Sequence, residues 1–286
     1  PRELLARIPL ALLPEVGFAW GEYRPLLEHF APGRRVCALD WPGFGASAKP
    51  PPADFAYTLA NFAVVFARWL DSLGVARAVL LGNGLGAAVA LRYALAHPQR
   101  VVGLALMGPL GMTVSTGVVE RIVQRILRSP WLLRRIEPTL TSLALGPTTA
   151  ETEAILRRRR SAREGADYAA SLAAAVALIR SLSAPDDLSD LGAEARERDA
   201  RQGLLAQADR VTAPALVMRG ALDPLCAATD TRRLAEGLGA HGALEVTLPT
   251  AGHLPFLQQP TRCMQAIAGL IATAEANAVQ SSSTKG

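Results

Sequence analysis

The feature that most constrains this chain is a repeated alternation of short apolar runs with amphipathic stretches. Residues 8–13, 34–39, 78–81 and 101–107 are apolar runs of strand length. Between them, residues 23–30, 57–73 and 85–97 carry apolar side chains at helical spacing; the longest has Leu59, Phe62, Phe66, Trp69, Leu70 and Leu73. Near-continuous apolar strands belong to a sheet buried on both faces, and parallel strands need crossovers long enough to hold a helix. The alternation therefore predicts βαβ units, an α/β chain with a mainly parallel central sheet and helices on both faces.

The rhythm stops at Gly108-Pro109 and resumes near residue 211. Residues 109–210 contain no strand-like run and read as helices over 118–128, 130–136, 149–163 and 166–181. Beyond them come a strand at 215–218, a helix at 229–238, a strand at 244–248 and a last helix at 261–276. The expected organisation is a core of residues 1–108 and 211–278, a helical insertion over 109–210, and a disordered polar tail over 279–286.

Composition narrows the class further. Half of the 286 residues are hydrophobic and 19% are charged, which excludes a disordered chain. The formal charge is +5, but the arginines are mostly scattered, so no nucleic-acid footprint is read from them. Three cysteines, Cys37, Cys226 and Cys263, exclude a disulfide scaffold and fit a reducing compartment such as cytoplasm, stroma or matrix. No apolar run reaches the roughly 18 residues of a membrane span, which predicts a soluble chain. The chain starts at Pro1 without a signal-peptide pattern and is read as processed or truncated, with any targeting segment already removed.

Four loops carry the chemistry. Gly82-Asn83-Gly84-Leu85-Gly86 joins a strand to a helix, the context of the G-x-S-x-G nucleophile elbow. Asp40-Trp41-Pro42-Gly43-Phe44-Gly45-Ala46-Ser47 follows the second strand run, Arg219-Gly220-Ala221-Leu222-Asp223-Pro224 the second-to-last, and Ala251-Gly252-His253-Leu254-Pro255 the last. In this order the loops resemble those of the α/β-hydrolase fold superfamily of the cap-domain type, with the insertion where the cap would lie. The resemblance covers about residues 8–108 and 211–278. It implies Asp223 as the acid, His253 as the base, and oxyanion donors from the backbone of Val16 and Leu85. It also implies that an N-terminal hairpin, usual before the first central strand, is missing.

Two departures stand out. Gly84 falls at the nucleophile position, where acyl transfer needs a hydroxyl, thiol or carboxylate. The His-Gly usual after the first central strand is replaced by Pro14-Glu15. Glu15 and Asn83 are candidates to line the pocket. Ser47 is a loop residue rather than a substitute nucleophile, and His29, His97 and His241 lie at helix ends or loops. No spacing suggests a metal, and no cofactor is expected. A dinucleotide reading of the glycine loop fails for want of an acidic residue at the next strand end.

Three functions are compatible with this pattern. The first is a binding or scaffold subunit with a vestigial or ligand-binding site, resembling a hydrolase that has lost its serine. The second is a nucleophile-independent enzyme of lyase, cyclase or cofactor-free oxygenase type, using the His253/Asp223 dyad with a free ring nitrogen aimed above Gly84. The third is a hydrolase whose serine was replaced. The expected ligand is small, apolar or carbonyl-containing. Arg121, Arg125, Arg128 and the run Arg157–Arg160 predict a cap with arginines facing solvent; the alternative is a docking face for an acidic protein or an anionic membrane surface.

Overall fold

A computed structural model describes residues 7–15, 17–110, 129–146, 149–165, 167–182, 203–239 and 242–283. In chain order the elements are β1 (Leu10–Leu13), α1 (Arg24–Phe30), β2 (Val36–Ala38), α2 (Leu59–Ser72), β3 (Ala78–Asn83), α3 (Leu85–Ala96) and β4 (Val101–Met107). The insertion supplies α4 (Pro130–Leu145), α5 (Ala150–Ala162) and α6 (Asp167–Ser181). The core closes with β5 (Ala215–Gly220), α7 (Ala228–Leu238), β6 (Leu244–Leu248), α8 (Pro255–Gln258) and α9 (Pro260–Ser283).

The six strands form one sheet in the order β2-β1-β3-β4-β5-β6, and every neighbouring pair is parallel. Alternate side chains feed two cores. Ala11, Leu13, Leu80, Leu104, Leu106 and Val217 pack with residues of α2 and α3, while Leu10, Leu12, Val79, Leu81, Met107 and Met218 pack with residues of α1 and α9. The α3 helix is buried from Gly86 to Leu95. It is built of small residues because β1 runs against its first turn: a Cβ on Gly86 would overlap the Leu13 and Pro14 carbonyl oxygens. Successive strands are added outward in opposite directions from β1 and β3. The carboxyl ends on either side of that reversal form the crevice where open parallel sheets place their ligands.

Two expectations about helix ends need correction. The first insertion helix continues through Pro138 to Leu145 rather than stopping at 136. A proline costs the helix the bond to the carbonyl four residues back. That carbonyl, on Arg134, instead accepts from Arg163 Nη2 at 2.6 Å, so no polar group is stranded. The tail is likewise not disordered from 279: α9 runs to Ser283. Gln280 to Ser283 contain neither Gly nor Pro, and extending an existing helix costs far less than starting one. The helix expected at 118–128 lies outside the described residues. Among the described residues of the insertion no strand occurs, and no described helix is long and apolar enough to cross a membrane.

Candidate functional site

Five strand ends converge on one point. The elbow between β3 and α3 turns at Gly84, which has φ +56° and ψ −120°, a region that side chains other than glycine's enter only at a cost. The Gly84 N–H donates to Met107 O at the end of β4. Gly108, also at positive φ, brings the chain so close that a Cβ there would press on the His253 ring at 2.9 Å. Asp223 follows β5 and His253 follows β6, and both are buried. His253 Nδ1 bonds Asp223 Oδ2 at 2.8 Å, the dyad expected from the loop order. Asp223 is itself oriented by the Leu225 N–H at 2.8 Å and the Cys226 N–H at 3.2 Å, both donating to Oδ1.

The other ring nitrogen is not free, contrary to expectation. His253 Nε2 lies 3.1 Å from Glu15 Oε2. The same carboxylate oxygen accepts from the Leu85 N–H at 3.0 Å. A Cβ built on Gly84 would overlap Glu15 Oε2 and also approach His253 Nε2 at 2.9 Å. The volume that a side chain at the elbow tip would fill is therefore occupied by the carboxylate of Glu15. Of the two oxyanion candidates, Leu85 already spends its N–H on Glu15, and Val16 lies outside the described residues.

A buried chain of hydrogen bonds fixes this carboxylate. The Glu15 N–H donates to Tyr23 Oη at 2.7 Å, and the Tyr23 hydroxyl donates to Asn83 Oδ1 at 2.8 Å. Asn83 Nδ2 donates to Met107 O at 2.9 Å and His253 O at 3.2 Å. Trp41 Nε1 donates to Pro14 O at 2.8 Å. Asn83 is thus wholly buried and acts behind the site rather than lining it. Tyr23 and Trp41 were not singled out in the sequence; Tyr23 meets its partner Asn83 across 60 residues of chain, and no local spacing signals that contact.

Electrostatics follow from the sandwich. Burial alone would lower the His253 pKa, but hydrogen bonds to Asp223 and Glu15, together with their charges, raise it from 6.5 to about 9. At neutral pH the imidazole is a cation between two carboxylates and has no lone pair with which to accept a proton. Nearby Cys226 is no substitute nucleophile: burial pushes its thiol up to about 12, and Sγ donates to Pro109 O at 3.2 Å. Ser47 donates to Asp40 O at 2.6 Å within its own loop, which Asp40 organises by accepting from the Ala46 and Trp20 N–H groups. No cluster of three or more His, Cys, Asp or Glu suited to a metal occurs among the described residues.

Above Glu15 and His253 opens a cavity of about 690 Å³ between core and insertion. Phe18, Phe44, Leu110, Leu140, Leu172 and Ile179 contribute apolar walls. Arg159 does not face solvent as its run predicted. It reaches from α5 to the core, with Nη1 donating to Gly17 O at 2.5 Å and its guanidinium 4.4 Å from the Phe18 ring centroid. Glu137 holds it on the other side at 3.0 Å. Arg157, Arg158 and Arg160 are exposed as expected, while Arg121, Arg125 and Arg128 lie outside the described residues.

Comparisons with known proteins agree with the fold. The family model of the alpha/beta hydrolase fold matches residues 13–260. A 2-hydroxymuconate semialdehyde hydrolase of a Pseudomonas strain is 39% identical over 95 residues, 33% of this chain and 33% of that protein. A 1-acylglycerol-3-phosphate O-acyltransferase of Sus scrofa is 35% identical over 106 residues, 37% of this chain and 30% of that protein. The matched stretch thus spans about one third of the curated relatives. A solved hydrolase from Pseudomonas aeruginosa superposes with TM-score 0.69 at 27% identity, covering 93% of this chain and 90% of that one. A haloalkane dehalogenase variant from Bradyrhizobium elkanii gives TM-score 0.71 at 23% identity over 96% of this chain and 92% of that one, a likeness of fold alone.

Proposed function

The chain belongs to the alpha/beta hydrolase fold family, and we propose that within it this protein is a ligand-binding member that does not hydrolyse esters through a covalent intermediate. One observation carries the reading. Glu15 Oε2 takes both the Leu85 N–H and His253 Nε2, and it fills the space above Gly84. Acyl transfer needs a nucleophile at that point, a base able to accept its proton, and a free N–H for the developing oxyanion. Glycine offers no nucleophile, the imidazole is already protonated, and the N–H is already satisfied. The reading with His253 as a free general base meets the same obstacle at Nε2. The apolar cavity beside the closed site gives a ligand somewhere to sit: its size lies within the range of small-molecule pockets.

Fluorophosphonate labelling and turnover of p-nitrophenyl esters test the non-hydrolytic reading. The protein is expected to stay unlabelled and to match buffer in turnover. Stoichiometric labelling that disappears in His253→Ala would overturn it, because it would reveal an activated hydroxyl that this geometry lacks.

A further inference from the structure

In a site of this fold the groups facing the ligand are hydrogen-bond donors, arranged for a carbonyl oxygen that becomes an anion. Here Glu15 reverses that polarity. Its Oε2 consumes the Leu85 N–H and the His253 Nε2 position. Its second oxygen, Oε1, has no hydrogen-bond partner among the described residues, yet it is not one of the sealed, unpartnered polar atoms. Glu15 lines the cavity, so Oε1 is the open acceptor at its floor.

The remaining charges of the cavity are matched. Lys49 pairs with Asp167 at 3.3 Å and Arg159 with Glu137 at 3.0 Å. Arg158 and Arg159 both act on Glu22, whose carboxylate accepts from the Ala19 N–H at 2.7 Å. The floor is different. Asp223, His253 and Glu15 together carry a charge of minus one with the imidazole protonated, and minus two without it. Phe18, Leu140, Leu172 and Ile179 give the space above a largely apolar lining, and a buried acceptor there gains most from a charged donor.

From this we infer that the cavity selects an apolar ligand bearing a hydrogen-bond donor, with an aliphatic ammonium group seated on Glu15 Oε1, and not the carbonyl-containing alternative expected from the sequence. The inference rests on the ligand-binding reading and specifies its chemistry.

Titration calorimetry at pH 7 with octylamine, 1-octanol and octanoate separates the possibilities, since the three probes share a chain and differ in the head group. Octylamine is expected to bind at least about tenfold tighter than octanol, and octanoate more weakly than either. In Glu15→Gln the amine's advantage over octanol should vanish. The ranking in the unaltered protein stands without that variant, should the variant fold poorly. Octanoate binding as tightly as octylamine would overturn the inference, because it would mean that the Leu85 N–H and His253 are free to receive an anion. Octanol binding as tightly as octylamine would overturn the ammonium preference while leaving the ligand-binding reading in place. Absence of binding by all three probes would remove the ligand-binding reading itself.

Discussion

The double variant Glu15→Gly/Gly84→Ser is expected to hydrolyse p-nitrophenyl esters at least about 10²-fold faster than Gly84→Ser alone. The single variant supplies a hydroxyl but leaves the carboxylate in its way. A Cβ at position 84 overlaps Glu15 Oε2, and the backbone there has φ +56°. Strain of about 1–3 kcal/mol and the displaced hydrogen bonds make Gly84→Ser less stable by on the order of 3 kcal/mol, readable by chemical denaturation. Its new serine would face a protonated imidazole and an N–H already in use. Replacing Glu15 by glycine removes the anion, returns the Leu85 N–H to the cavity, and frees His253 Nε2 to act as a base. A single Gly84→Ser variant as active as the double would show that Glu15 does not block the site.

The sheet, its crossovers and the His253–Asp223 pair were legible because each rests on local pattern: apolar runs of strand length, helical periodicity, and loops with fixed residue types after particular strands. The relation between Glu15 and Gly84 was not. In the sequence they stand as two separate departures, with 70 residues between Glu15 and the Leu85 N–H that donates to it. Only the folded chain shows that the carboxylate entering at one position needs the side chain missing at the other. The same holds for α4. Proline ordinarily ends a helix, and the guanidinium that takes over the carbonyl left by Pro138, that of Arg134, comes from Arg163, on the far side of the α4–α5 connection.

Stability is expected to fall as pH rises from about 6 to 9, by about 3 kcal/mol from His253 alone. The folded-state pKa is about 9 against 6.5 for an unperturbed histidine. A raised value means that the folded chain holds its proton more tightly than the unfolded one. The stabilisation is therefore complete below pH 6.5 and is lost as pH climbs through 9. Urea unfolding at pH 6 and at pH 9 measures the difference. Glu15→Gln removes one of the two carboxylates that sustain the cation, so its loss over the same interval should be clearly smaller. The thiols of Cys226 and Cys263, both raised to about 12, contribute chiefly above that interval. Equal losses in the two proteins would mean that Glu15 does not hold the imidazolium.

The closed triad is tested most directly by ¹⁵N NMR of the histidine rings across pH 5 to 10 in the unaltered protein. His253 should keep both ring nitrogens protonated at pH 8, and it should titrate near 9. In Glu15→Gln that titration should move towards neutrality. A His253 that is neutral at pH 8, with Nε2 unprotonated and titrating near 6.5, would contradict the account: Glu15 would then not be bound to it, and the site above Gly84 would stand open.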